Sequence, residues 1–241
     1  MWGIVPAAGL GGRGQPLAYA KELLPVGSRG DGAAERPRAV SEHLVDRMRT
    51  GGATRLCFVI APGRSDLVDY WGSGAEGASA CYVVQPRPAG LCDAIFRALP
   101  LVGPEDPILV GLPDSVWFPE DGFRRLQGGG LSFLCFQVAH PELFEAVLAG
   151  EDGEVGEIRV KSRDPGSRWV WGAFKLDGAV LRELFELWCA RGREDVYVGT
   201  LINAWLAHGG QARAVRAGEA YVDVGTHGGW QEAVRLCAER R

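Results

Sequence analysis

Residues 3–26, GIVPAAGLGGRGQPLAYAKELLPV, constrain the fold more than any other stretch. The apolar run at 4–8 reads as a buried strand. It opens directly into Gly9-Leu10-Gly11-Gly12-Arg13-Gly14. Glycines let a backbone turn sharply and come close to a ligand. Successive N–H groups in such a turn can form a concave site for phosphate. Arg13 and Lys21 add positive charge beside it, Arg13 as a planar fork and Lys21 as a point charge.

Two common phosphate-loop patterns fit poorly. A Walker loop needs Gly-Lys-Ser/Thr opening a helix, but Lys21 is followed by Glu22 and no glycine precedes it. The dinucleotide pattern G-x-G-x-x-G is literally present at Gly9, Gly11 and Gly14. It requires a helix at once and an acidic residue about 20 positions on. Here Pro16 and Pro25 bracket a segment without helical period, and Asp31 and Glu35 lie in a Gly/Arg/Ala stretch. A glycine turn with no ligand stays open as a third reading.

Downstream, apolar runs alternate with helical periods. Helices are expected over Val40–Thr50, from Ser65, from the Gly90 turn to Leu99, after Pro119, and over 141–149. Strands are expected at 56–61, 81–84, 108–112 and 131–138, and residues 27–38 read as a solvated loop. This alternation predicts an α/β fold: a Rossmann-like, mainly parallel sheet with helices on both faces. From Glu154 the pattern changes. Alternating strands at 155–161 and 168–175 predict a small antiparallel flap, followed by a helix capped by Asp177, a helix at 197–208, and a short strand at 222–226 breaking into a last helix.

In such sheets ligands sit beyond the carboxyl ends of the strands. The glycine loop, Gln85 and Asp114 all follow strands there. Asp114 closes an apolar run, where a carboxylate does nothing for packing. Asp223 stands between valines in Tyr221-Val222-Asp223-Val224-Gly225-Thr226. Either is a turn residue or a ligand for a hard cation such as Mg²⁺, which takes few carboxylates and completes its shell with phosphate and water. The four histidines (His43, His140, His208, His227) follow no catalytic pattern and read as surface or helix-end residues. The six cysteines show no metal spacing and fall mostly in apolar runs, so they read as reduced core thiols. The net charge of −4 argues against nucleic-acid partners. No apolar run approaches a membrane span, and the start lacks a basic signal flank, so a cytoplasmic protein is expected.

The chain resembles the sugar-1-phosphate nucleotidyltransferases, as in glucose-1-phosphate thymidylyl- and uridylyltransferases. Their signature runs roughly G-x-G-(T/S)-R-L-x-P-L-T-x-x-x-P-K-x-L-L-P-V. Gly9, Gly11, Arg13, Pro16, Leu17, Lys21, Leu23, Leu24, Pro25 and Val26 match it in order. Gly12 replaces the usual Thr or Ser, the spacer from Pro16 to Lys21 is two residues shorter than usual, and Ala20 replaces the Pro before the Lys. Leu112-Pro113-Asp114 and the Tyr221–Thr226 segment resemble the family's two metal-binding motifs. Gln85-Pro86-x-Pro88-x-Gly90-Leu91 resembles its base-reading loop, Lys161 the Lys of its Glu-Lys-Pro, and Trp171-Gly172-Ala173 its sugar-pocket floor.

The resemblance implies transfer of a nucleoside monophosphate from an NTP, dTTP or UTP favoured, to a sugar 1-phosphate. It assigns Mg²⁺ to Asp114 and Asp223, and the phosphates to the loop backbone at Gly9, Gly11 and Gly12. Arg13 and Lys21 take the leaving pyrophosphate, Gln85 and Gly90 the base, and Lys161 and Gly172 the sugar phosphate. Tyr197, Thr200 and Asn203 are further sugar-facing candidates. The whole chain, 1–241, is expected to form one nucleotidyltransferase domain, 1–150 mainly binding nucleotide and 151–241 mainly sugar phosphate, with room for a homo-oligomer. A catalytically weak nucleotide-sugar-binding regulatory homologue, and a cytidylyl- or adenylyltransferase of the same fold, remain as alternatives.

Overall fold

The computed structural model describes residues 1–9, 19–30 and 34–240. Strand β1 (Trp2–Ala7) comes first, then β2 (Pro25–Gly30) and β3 (Glu35–Ala39) as an antiparallel pair, α1 (Val40–Thr50) and β4 (Arg55–Ile60). Helix α2 (Ser65–Trp71), the two-residue β5 (Gly74–Ala75), β6 (Ala78–Val84), α3 (Gly90–Phe96), β7 (Pro107–Gly111) and β8 (Ser115–Phe118) follow. The second half supplies β9 (Leu131–Gln137), β10 (Glu145–Ala149), β11 (Val155–Val160), β12 (Trp169–Asp177), α4 (Gly178–Ala190) and α5 (Val198–Ala207). It continues with β13 (Ala212–Val215), β14 (Ala220–Asp223) and α6 (His227–Glu239).

The main sheet runs β11-β10-β12-β7-β1-β4-β6-β5, with β9 on β12 and β13 on β9. Its centre is parallel: Ile4 of β1 pairs with Cys57 of β4 and Val110 of β7, and β4 is parallel to β6. The antiparallel strands of the second half are hydrogen-bonded onto this centre through the β7–β12 pair. Both faces of the parallel strands are covered, which explains their unbroken apolar runs. Ile4, Cys57 and Val59 join Phe96 of α3, Leu184 of α4 and Leu201 of α5 on one side. Val5 and Phe58 join Leu44 and Met48 of α1 and Leu67 of α2 on the other. A smaller apolar cluster seats α6 (Ala233, Cys237) on β2, β8 and β14 through Val26, Val116 and Val222. None of the six cysteines is in a disulfide among the described residues.

Several local expectations need correction. The described part of 27–38 is not a solvated loop but the β2–β3 pair, held by carboxylates of α1. Arg29 reaches Glu42 and Asp46, Arg36 reaches Glu42 at 2.8 Å, and Arg38 reaches Asp46 at 2.8 Å. These partners lie on another element, so local composition did not show them. After Pro119 there is only the short turn Gly122–Arg125, preceded by β8. Residues 141–149 form no helix: a three-residue turn leads into β10, which lies between β11 and β12. Ala146 and Val147 become fully buried there, and this sheet packing overrides the helix-forming composition. Asp177 precedes α4 without capping it, because its carboxylate accepts from the Gly130 N–H at 2.7 Å. Ser65 is the first residue of α2 rather than its cap.

His43 is not on the surface; it is buried inside α1, 2.9 Å from the Val26 carbonyl oxygen. Burial, with Arg38 and Arg47 close by, holds its imidazole down at about 3. An unfolded histidine titrates near 6.5. Between those values the unfolded chain takes up a proton that the folded chain refuses, so stability is lost as pH falls from about 6.5 toward 3. His43→Gln keeps a donor for Val26 and removes this proton linkage. Urea midpoints measured from pH 7 to pH 4 should fall less in the variant than in the parent; parallel curves would contradict the assignment.

Candidate active site

Strands β1, β6 and β7 run parallel to one order, β7-β1-β4-β6, so Gly9, Gln85 and Asp114 follow strand ends on one edge. The Lys21 ammonium lies there, 2.5 Å from Asp114 Oδ2, with both side chains mostly shielded. A side chain added at Gly9 would stand 3.6 Å from the same Lys21 Nζ. Residues 10–18, including Gly11, Gly12 and Arg13, lie outside the described residues.

Asp223 arrives from the far end of the chain. Strand β14 pairs antiparallel with β8, setting Asp223 opposite Ser115, and the Val224 N–H donates to the Asp114 carbonyl at 2.9 Å. One oxygen of Asp223 accepts the Gly225 N–H at 2.6 Å. Burial pulls the Lys21 ammonium down, but Asp114, Glu22 and Asp223 together pull it up, leaving it above its usual range. Glu22 is a feature that sequence reading missed. It is 1% exposed, burial pushes its carboxyl up to about 7, and its Oε2 has no hydrogen-bond partner. Only its place between Lys21 and the Leu-Leu-Pro-Val motif could have signalled it.

Beside this cluster opens a cavity of 360 Å³, bordered by Gly90, Lys161, Trp171, Tyr197, Tyr221 and Asp223, among others. Lys161 has a φ of 45°, a left-handed conformation that costs energy for a residue with a side chain. Its Nζ donates to the Tyr197 hydroxyl at 3.3 Å and lies 4.7 Å above that ring. Gly90 also has a positive φ, 89°, and a Cβ there would come within 2.7 Å of the Val196 backbone. Glycine is what lets this turn pass residue 196.

Other candidates stand behind the cavity rather than on it. Gln85 is 4% exposed, and its amide nitrogen is committed to Asp93 at 2.8 Å and to the Gly90 carbonyl at 3.1 Å. Its nitrogen therefore orders the Gly90 turn, leaving the amide oxygen for any ligand. Gly172 lies under the Tyr221 ring, where a Cβ would meet ring carbons at 2.5 Å. Asn203 clamps both backbone groups of Ile158, and the Thr200 hydroxyl donates to the Tyr197 carbonyl, so both serve the protein internally. Glu145, by contrast, lines the cavity and was hidden by the mistaken helix at 141–149.

Lys161, Glu145 and Asp223 put charge on the cavity wall, and the Lys21–Asp114 pair stands beside Asp223, so the region suits a polar, charged ligand rather than an apolar one. Asp114 and Asp223 are the carboxylates a hard divalent cation could use. Among the described residues no three His, Cys, Asp or Glu side chains gather into a metal cluster. Among the described residues no helix is long and apolar enough to cross a membrane.

No protein-family model matches the chain. It is 27% identical over 244 residues to a glucose-1-phosphate thymidylyltransferase of Neisseria meningitidis, covering 97% of this chain and 81% of that protein. A Bacillus anthracis structure described as a glucose-1-phosphate thymidylyltransferase, in complex with sucrose, superposes with a TM-score of 0.83 at 27% identity, covering 98% of this chain and 95% of that one. A UTP-bound UGPase from Acinetobacter baumannii shares the fold, with a TM-score of 0.79 at 19% identity over 100% and 94% of the two chains.

If Gly172 is a packing requirement of Tyr221, Gly172→Ala should overpack the wall and lower stability by about 1–3 kcal/mol. Urea unfolding checks this. Unchanged stability would mean that the Tyr221 ring moves aside freely.

Proposed function

We propose that this chain, which belongs to the sugar-1-phosphate nucleotidyltransferase family, transfers a nucleoside monophosphate from an NTP to a sugar 1-phosphate, giving a nucleotide sugar and pyrophosphate. The observation that carries the reading is the β8–β14 junction. It joins Asp223 to Asp114 beside Lys21, at the edge where the glycine loop begins.

The acceptor phosphate is already anionic at neutral pH, so no general base is required. A new P–O bond forms to the α-phosphorus as the α–β bridging bond breaks, and pyrophosphate leaves with the electron pair. Catalysis is then alignment of two anions and neutralisation of charge. Lys161 holds the sugar phosphate at the cavity. Lys21 exchanges Asp114 for the oxygens of the departing pyrophosphate, with Arg13 assigned the same task from the motif. Asp114 and Asp223 would hold Mg²⁺, which when bound neutralises phosphate charge. In this division residues 1–150 serve mainly the nucleotide and 151–241 mainly the sugar phosphate, Asp223 being the exception.

Thymine or uracil is the favoured base. The Gln85 amide oxygen can accept from the N3–H of either. A cytidylyltransferase is the second reading, because that oxygen would equally accept from the amino group of cytosine, the Gln85 nitrogen being engaged by the protein.

Pyrophosphate release should require one NTP and one sugar 1-phosphate when dTTP, UTP, CTP, ATP and GTP are crossed with a panel of sugar phosphates and Mg²⁺. Asp114→Asn should cut turnover about 10²-fold or more while circular dichroism stays unchanged. Near-normal turnover in that variant would overturn the role given to Asp114. Tight nucleotide-sugar binding without any release would instead favour a regulatory homologue.

A further inference from the structure

The cavity beside Lys161 has one charged group that neither the motif nor the proposed mechanism uses. Glu145, the first residue of β10, is 9% exposed and lines the cavity. Its Oε2 accepts the Trp171 indole N–H at 3.0 Å and the Gly199 backbone N–H, in the first turn of α5, at 2.7 Å. A side chain at Gly199 would press within 2.8 Å of that oxygen, so the approach is tight. The carboxylate is therefore fixed by one of its oxygens.

Among the described residues the other oxygen, Oε1, has no donor, and it is not among the buried unpartnered atoms, so it is left to the cavity. Phe144, Trp171, Tyr197 and Tyr221 line the same cavity. Burial pushes the Glu145 carboxyl up, and the Trp171 and Gly199 donors with Lys161 oppose that. Packing alone does not ask for an acid here, because a buried carboxylate costs more than an apolar side chain unless its hydrogen bonds are met. Capping α5 would account for one oxygen only.

A fixed acceptor in an aromatic wall matches a polyhydroxylated ring: carbon faces lie against the aromatics and hydroxyls donate to the carboxylate. We propose that Glu145 is the specificity-determining residue of the acceptor pocket, accepting hydrogen bonds from ring hydroxyls of the sugar phosphate. This rests on the nucleotidyltransferase reading above. Glu145 sits opposite Val160 in the β10–β11 ladder, and Lys161 N–H donates to the Phe144 carbonyl at 2.8 Å. The hydroxyl acceptor and the phosphate-holding ammonium are thus next to each other on one strand pair.

Glu145→Gln separates this role from a structural one. The amide oxygen of Gln can still accept from Trp171 and Gly199, while its NH₂ then faces the cavity and turns an acceptor into a donor. With the best sugar 1-phosphate and saturating NTP, KM for the sugar phosphate should rise about 10- to 100-fold, with KM for the NTP and the melting temperature little changed. The monodeoxy analogues of that sugar phosphate supply the second measurement. At least one should be a poor substrate for the parent enzyme, because a site built to bind a hydroxyl rejects the analogue lacking it. The variant should discriminate against that analogue far less. If every analogue serves the parent as well as the full sugar, or if the variant keeps the parent's KM and discrimination, Glu145 only caps α5 and the proposal fails. If no sugar 1-phosphate supports release at all, the function itself is wrong and the proposal falls with it.

Discussion

Strand β1 lies between β4 and β7 in parallel register, and both its faces are sealed by helices. That arrangement brings the ends of β1, β6 and β7 to one edge, where the segments that follow them carry Gly9, Gln85 and Asp114. Gly9, Lys21 and Asp114 all depend on it. Lys21 and Asp114 satisfy one another there at 2.5 Å. The antiparallel strands grafted through β12 then build a wall for the cavity. The parallel core thus fixes the mouth, and the mixed part of the sheet shapes what can enter beside it.

Much of the core was legible in residues 4–8, 56–61 and 108–112. Each is apolar without alternation, and a strand covered on both faces needs nothing else. The strand-end position of Asp114 followed from the same pattern. The acidic strand end at Asp223 was legible as an anomaly between valines, but its partner was not. Nothing local in Ser115–Phe118 says that it pairs with Ala220–Asp223. Gln85 shows the converse: the residue was visible, yet its direction depends on Asp93 and Gly90 together.

Residues 141–149 show why the rest was hidden. Pro-Glu-Leu-Phe-Glu-Ala-Val-Leu-Ala carries strong helix formers, and only the neighbours β11 and β12 make it a strand. Read as a helix, Glu145 falls on a face with no meaning. Read as a strand, it points between Trp171 and Gly199. The acid pairings of Arg29, Arg36 and Arg38 were invisible for a similar reason, since composition shows the charges but not the facing helix.

The junction of β8 with β14 also orders events in time. Asp114 leaves the ribosome with nearly half the chain still to be made before Asp223 appears. Early segments can fold as they emerge, and the parallel core is complete well before β14 exists. The half-made chain therefore owns Lys21, Glu22 and Asp114 but not yet Asp223. Closing so long a loop adds little entropy beyond a shorter one, so the delay is one of synthesis rather than of thermodynamics. The Val224 N–H that meets the Asp114 carbonyl, and the Asp223 carboxylate beside it, are thus among the last parts of this edge to be put in place.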